Sequence, residues 1–459
     1  MNKINLDKKT IIYLVSFFVL FVVFVISIYF SSGVDNEFDT KILDGKVISV
    51  SNELITICDK NGNEYTVSSQ IDVLEGDNIS LLYTGILDLD KDTQDIIVVD
   101  YTIEVGDADV IPTEYKDNGI FSDYYELAYN KLKELSLDEK IGQLLLVRYP
   151  DSNQKEILKK YGFGGYVFFE KDFAGKTKEE VINMISDLED ASKIPIITAV
   201  DEEGGKVVRI SSNTNLRDSK FLSPSELYAQ GGFDKITADT KEKSKLLKNL
   251  GINVNLAPVV DVSTDSNDYM YERTLKEDTE LVSEYAKTVI EASKGTGVSY
   301  TLKHFPGYGN NDDTHTGTSV DDRSLEDIMN NDIPPFEAGI KAGAEAVLVS
   351  HNIVSSIDVA NPASLSPNVH SLLRDDLGFT GVIITDDLAM DAVSGIVDVA
   401  VFAVRAGNNL IITTNYEESF NSIKTAVKDG EITEDDIDKL VFKVLAWKYY
   451  KGLMFQNLK

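Results

Sequence analysis

Cysteine is almost missing from this chain: Cys58 is the only one in 459 residues. An intramolecular disulfide is therefore excluded, and one thiol does not build a zinc site. Histidine is scarce too, with His304, His315, His351 and His370 the full set. No H-E-x-x-H pair, G-x-S-x-G turn or phosphate-binding P-loop occurs, so no metal site and no cofactor are expected. Positive charge is in deficit. Lys and Arg number 44 against 76 Asp and Glu, a formal net charge of −32. Such a surface repels phosphate backbones and excludes nucleic acid as a partner. Most of the acidity reads as solubility.

What is present begins with a charge-free run at residues 11–30, rich in Ile, Val, Leu and Phe. At about 1.5 Å per residue a helix of this length crosses a hydrocarbon core of about 30 Å. Lys3, Lys8 and Lys9 precede it, and Asp35, Glu37 and Asp39 follow it. The positive-inside bias then predicts a cytoplasmic N-terminus at 1–10, a single-pass anchor at 11–30 and a body outside the cell membrane. A cleaved signal peptide is the rival reading. Its apolar core is shorter and ends at a small-residue site, which Phe30-Ser31-Ser32-Gly33 does not resemble.

Residues 40–105 read as a small all-β module, an OB- or SH3-like barrel. The runs at 47–50, 54–57, 65–67, 79–83 and 96–99 are β-rich, and Asn61-Gly62 is a hairpin signal. The acidic stretch 88–92 lacks the glycine and the glutamate of a calcium loop, so it reads as a solvated turn. Residues 106–120 have linker composition.

From residue 121 to 459 short apolar runs alternate with helical stretches. Ser136-Leu137-Asp138-Glu139 fits a capping box at the first helix. Eight runs without polar alternation follow, at 144–147, 166–169, 196–200, 254–256, 299–302, 346–349, 382–384 and 410–413. Buried parallel strands have this character. Eight βα units predict an α/β fold of the (β/α)8 TIM-barrel type. A doubly wound open sheet is the alternative, weakened by the lack of a Gly-rich turn after the first strand. Asp201 follows the third run, Lys303-His304 the fifth, Ser350-His351 the sixth and Asp386-Asp387 the seventh. Barrel active sites form at these strand ends. For any one of these residues taken alone, capping or loop bracing is the simpler role.

Three ordered segments carry a family resemblance. They are Asp201-Glu202-Glu203-Gly204-Gly205 with Arg209, then Lys303-His304-Phe305-Pro306-Gly307-Tyr308-Gly309, then Gly381 through Met390 with Asp386-Asp387 at its centre. Together with Pro362–Ser366 and Leu373–Phe379 they resemble glycoside hydrolase family 3, most closely its single-domain β-N-acetylhexosaminidase branch. The resemblance spans roughly residues 130–455 and implies a retaining hydrolase that removes terminal β-linked N-acetylglucosamine, from cell-wall or related glycans. It implies Asp386 as nucleophile, forming a covalent glycosyl-enzyme. Asp387 competes for that role by position but should face the other side of the strand and cap the next helix. The loop with Asp313-Thr314-His315 resembles the Asp-Ser-His dyad of that branch. His315 then serves as acid/base and Asp313 as its orienting partner. Glu170 and Glu203 are the fallback acids. By the same resemblance Asp201, Arg209, Arg273, Lys303 and His304 bind the sugar. His351 is expected behind the site and His370 outside it.

The chain departs from the pattern at Tyr308, where His is common, at Thr385, where Ser is frequent, and in a loop shorter by one residue before the dyad. Two other readings stay open. One is a β-glucosidase or glycoside phosphorylase on the same barrel. The other is an anchored glycan-binding protein without catalysis.

Overall fold

The computed structural model describes residues 40–454, except 52–53, 61, 69–70, 72, 89–92, 95, 105–110, 310–312 and 315–316. The chain divides into two compact units, one ending at Val110 and one beginning at Ile111.

The first unit is an antiparallel sheet of β1 (Thr40–Ser51), β2 (Leu54–Asp59), β3 (Glu64–Ser68), β4 (Asn78–Gly85) and β5 (Ile96–Glu104), in the order β3-β2-β1-β4-β5. Burial alternates along β2 and β4, as the two-residue period of a half-buried strand requires. Val47, Ile57, Val67 and Leu81 are fully enclosed in its core. At the β2–β3 hairpin Gly62 takes φ +84, a left-handed conformation that glycine adopts without Cβ strain. The sheet is curled rather than closed by a full ladder. One parallel bridge, Val67 to Gln94, brings its β3 edge to the lead-in of β5. Of the acidic stretch 88–92, residues 89–92 lie outside the described residues, as does most of the expected linker's first half at 105–110.

The second unit is a barrel. Its strands are β6 (Leu145–Arg148), β7 (Gly165–Phe168), β8 (Ile197–Val200), β9 (Val254–Asn255) and β10 (Ser299–Phe305). After a short β11 (Val320–Asp321) come β12 (Ala346–Val349), a short β13 (Ile353–Val354), β14 (Val382–Thr385) and β15 (Ile411–Thr413). The eight long-range neighbours run β14-β12-β10-β9-β8-β7-β6-β15, all parallel, and a bridge from Ile384 to Leu410 closes the ring. Closure removes the doubly wound alternative. The strands are buried along nearly their whole length, which is why their sequences are apolar runs without alternation. Ser136 caps the helix Leu137–Gln143, and Glu139 reaches back to the Ser136 N–H at 2.9 Å, completing the capping box. The small pair β11–β13 has no signature in the sequence.

One part of the expected architecture is corrected. Among the described residues no helix is long and apolar enough to cross a membrane, so over those residues the fold is an α/β barrel and a β module without the expected transmembrane helix. The longest described helical stretch, Pro224–Asn249, is dense in Lys, Asp and Glu and is two helices joined across a kink at Gly231-Gly232. The run at 11–30, on which the anchor was expected, lies outside the described residues.

Candidate active site

The C-terminal ends of the barrel strands surround a cavity of about 740 Å³, within the usual range for small-ligand sites. Asp201 enters it directly after β8. The next residue, Glu202, is fully buried and never reaches the cavity. Its carboxylate accepts the backbone N–H groups of Arg209 at 2.8 Å and Ile210 at 2.7 Å, together with the Ser211 hydroxyl. Glu202 thus folds the loop back and delivers Arg209 to the wall. Gly204, at φ +106, makes that reversal. A Cβ there would sit 2.1 Å from the Leu222 carbonyl oxygen.

Glu203 lies inside the wall. Arg273 donates to it twice, from Nε at 2.9 Å and Nη2 at 2.6 Å, and Lys303 Nζ lies 2.7 Å from Oε1. Lys303 also donates to Asp201 Oδ1 at 2.6 Å. Burial opposes the charge on Glu203, but Arg273 and Lys303 outweigh it and hold the carboxyl far below its ordinary range. The same neighbours act on Lys303. Burial pulls its pKa down, and Asp201 and Glu203 carry it above the usual value. The cluster is a charge-compensated lattice whose free edges face the cavity.

Lys303 and His304 belong to β10 itself rather than following it, because that strand runs on to Phe305. His304 Nδ1 lies 2.8 Å from Asp261 Oδ2, and Arg273 Nη2 lies 3.4 Å from Nε2. Arginine only donates, so Nε2 is the accepting nitrogen and Nδ1–H donates to Asp261. Asp261 Oδ1 also accepts the Tyr308 N–H at 2.7 Å.

Asp386 stands at the end of β14, with its N–H donated to the Val349 carbonyl at 3.0 Å. Burial works against its ionisation. Electrostatic interaction with His351, His304 and Lys303, with the Asp387 N–H, more than offsets this and lowers its pKa. Asp387 has a raised pKa, through burial first and then the neighbouring Asp386. Its carboxylate accepts the Ala389 N–H at 3.0 Å and the Thr414 hydroxyl at 3.2 Å. It therefore fixes a turn; the next helix starts only at Asp391, with Met390 as its N-cap. His351 is buried behind this turn, donating from Nε2 to the Asp387 carbonyl at 3.0 Å. His370 is buried in a short helix away from the cavity.

Asp201, Arg209, Arg273, Lys303, His304 and Asp386 all line the one cavity. Asp313 approaches it through a hydrogen bond with the Tyr269 side chain, and Tyr269 is itself a lining residue. His315 lies outside the described residues. Glu170 is exposed and does not line the cavity, and Glu203 is locked as an anion, so neither fallback acid is placed to give a proton. Sequence reasoning passed over Asp261, Tyr269, Arg148 and Phe169. Each becomes functional only through a neighbour distant in the chain. Among the described residues no group of three or more His, Cys, Asp or Glu could hold a metal ion.

Comparison with known proteins matches residues 136–447 to the family described as glycosyl hydrolase family 3 N terminal domain. A beta-hexosaminidase of Xylella fastidiosa (strain M23) is 31% identical over 240 residues, which are 50% of this chain and 69% of that protein. A solved glycoside hydrolase family 3 beta-N-acetylglucosaminidase from Paenibacillus sp. str. FPU-7 is 29% identical with a TM-score of 0.66. The match covers 70% of this chain and 63% of that one. A beta-N-acetylhexosaminidase from Beutenbergia cavernae is 26% identical with a TM-score of 0.60, over 69% of this chain and 99% of that one.

Proposed function

The chain belongs to glycosyl hydrolase family 3 and is a hydrolase, and on that premise we propose that it removes terminal β-linked N-acetylglucosamine from glycans with retention of configuration. The observation that carries the reading is Asp386, whose carboxyl is held below its ordinary pKa and which lines the same cavity as the Asp201–Lys303–Glu203–Arg273 lattice. Asp201 accepts sugar hydroxyl protons, and Lys303, Arg209 and Arg273 donate to sugar oxygens. His304, fixed by Asp261, presents Nε2. With the ring held there, the Asp386 carboxylate attacks the anomeric carbon through an oxocarbenium-like state. The glycosidic C–O bond breaks as the Asp386–sugar bond forms. His315 gives its proton to the leaving oxygen, and Asp313 stabilises the charged imidazole. In the second half His315 takes a proton from water, water attacks the anomeric carbon, and Asp386 leaves as carboxylate.

The relatives' names point to the N-acetylhexosamine class. The test is a panel of p-nitrophenyl β-glycosides, run with and without inorganic phosphate. The β-N-acetylglucosaminide should be cleaved much faster than the β-glucoside, at a rate independent of phosphate. Equal or reversed rates would move the activity to β-glucosidase, and a phosphate requirement would move it to phosphorolysis.

A further inference from the structure

The loop that carries Asp313 leaves β10 over Gly307 and Gly309 and returns to the barrel through β11. Arg323, two residues past β11, bears on both ends of it. Its Nε and Nη2 donate to Asp321 at 3.0 Å and 2.7 Å, and its Nη1 and Nη2 donate to Asp332 at 2.8 Å and 3.2 Å. Both carboxylates are buried, while Arg323 is partly exposed. Burial pulls the Arg323 pKa down, and the hydrogen bonds to Asp321 and Asp332 carry it above the usual value. Two carboxylates on one guanidinium fill its fork from two sides and fix its plane.

Each carboxylate belongs to a different end of the loop. Asp321 is part of β11, which pairs with β13, and its carbonyl accepts the Ser355 N–H at 2.9 Å. That fixes the returning end. Asp332 stands at the junction of the helices Leu325–Asn331 and Ile333–Lys341. It packs on Gly307, where a Cβ would strike the Asp332 side chain. Gly309, at φ +59, lies against the guanidinium itself, and a Cβ there would strike Nη2. The free end of an arginine gives way to such a contact, but here two carboxylates hold it still. The outgoing backbone is therefore seated on a plate whose place is set by the returning strand.

We propose that Arg323 is a positioning residue for the acid/base step, setting where the loop holds Asp313 although Arg323 does not itself line the cavity. This inference rests on the reading of Asp313 and His315 as the dyad. Its consequence is selective. A proton donor displaced by about 1 Å slows the step that protonates the leaving oxygen. Leaving groups that depart without a proton are little affected. A guanidinium that merely held the barrel together would affect every substrate alike.

The test compares wild type with Arg323→Met, Arg323→Lys and Gly309→Ala on two substrates. One is the disaccharide of two β-linked N-acetylglucosamines, whose leaving sugar needs a proton. The other is 2,4-dinitrophenyl β-N-acetylglucosaminide, whose leaving group does not. The readout is kcat/KM, which reports the first step. Arg323→Met should lose about ten- to a hundredfold on the disaccharide and less than about threefold on the aryl glycoside. Arg323→Lys, which keeps the charge but loses the fork, should fall between wild type and Arg323→Met. Gly309→Ala keeps the guanidinium and both carboxylates and lifts only the loop. It should show the same selective loss, so the test stands even where Arg323→Met fails to fold. An equal loss on both substrates in the folded variants, or no loss, overturns the proposal. His315→Ala, run beside them, separates the two readings. If it is selective and the other variants are not, only the role of Arg323 fails. If it is not selective either, the dyad reading fails and the role of Arg323 with it. Hydrogen exchange over residues 306–319 reads the same placement without turnover. It should be faster in Arg323→Met within that loop and unchanged in the barrel strands. Exchange that is unchanged in the loop, or faster throughout, overturns the proposal.

Discussion

The Tyr308 hydroxyl lies 2.7 Å from Oγ1 of Thr314 and accepts the Thr314 backbone N–H at 2.9 Å. Thr314 sits between Asp313 and His315, is fully buried, and receives the Ala392 N–H on its carbonyl at 3.2 Å. At its other end Tyr308 is tied through Asp261 to His304. One residue thus connects the Lys303–His304 end of β10 to the loop that carries the proposed dyad. Where the family commonly has His, this chain uses a longer phenol as the loop's anchor.

Tyr308→Phe removes that anchor without opening a cavity and leaves two buried Thr314 groups unpaired. It should lower kcat by about ten- to a hundredfold, the size of effect a small misplacement produces, with KM changed much less. The melting temperature should drop by a few degrees, as about 1–3 kcal/mol of unmet hydrogen bonding implies. Steady-state kinetics with a thermal melt check this. Full activity in Tyr308→Phe would show that the loop holds its place without the hydroxyl.

Glu203→Gln leaves Arg273 and Lys303 in the wall with one anion fewer. The variant should be less stable by about 3–5 kcal/mol at neutral pH, the usual cost of breaking a buried ion pair from one side. Its pH dependence has a definite sign. The folded-state pKa of Glu203 is depressed below its ordinary 4.5, so its contribution is complete above that value. It is lost as pH falls through the folded-state value. Urea titrations should therefore show the gap between wild type and variant at its largest above about pH 5, narrowing on the acid side. A gap that widens as pH falls would contradict the assignment of the charge.

His315→Ala should damage substrates with poor leaving groups most, because these need a proton on the departing oxygen, and should spare activated aryl glycosides in the first step. Asp313→Asn should be intermediate, with His315 retained but less well oriented. The limb of the pH–rate profile set by the imidazole should vanish in His315→Ala. If that variant hydrolyses a natural disaccharide at the wild-type rate, the proton comes from elsewhere.

Much of this architecture is legible in the chain. Buried parallel strands must be apolar on both faces, so runs such as Ala346–Val349 and Ile197–Val200 stand out, and the charged residues that end them mark the functional rim. The limits have physical causes. β9 makes only two ladder residues, and β10 continues through Lys303 and His304, since neither length is set by local composition. The partners of Arg273 and His304, Glu203 and Asp261, stand 70 and 43 residues away and meet only when the barrel closes. Arg148 carries no motif at all; its place over the Phe169 ring, 21 residues on, appears only in the folded chain.

The central claim is that Asp386 forms the glycosyl-enzyme. A slow fluorinated N-acetylglucosaminide with an activated leaving group, quenched early and mapped by peptide mass spectrometry, tests it directly. The account predicts one added sugar mass on the peptide containing Asp386, and none in Asp386→Ala, which should also have lost turnover on every substrate. Label on Asp387 or any other residue, or turnover surviving in Asp386→Ala, would contradict it.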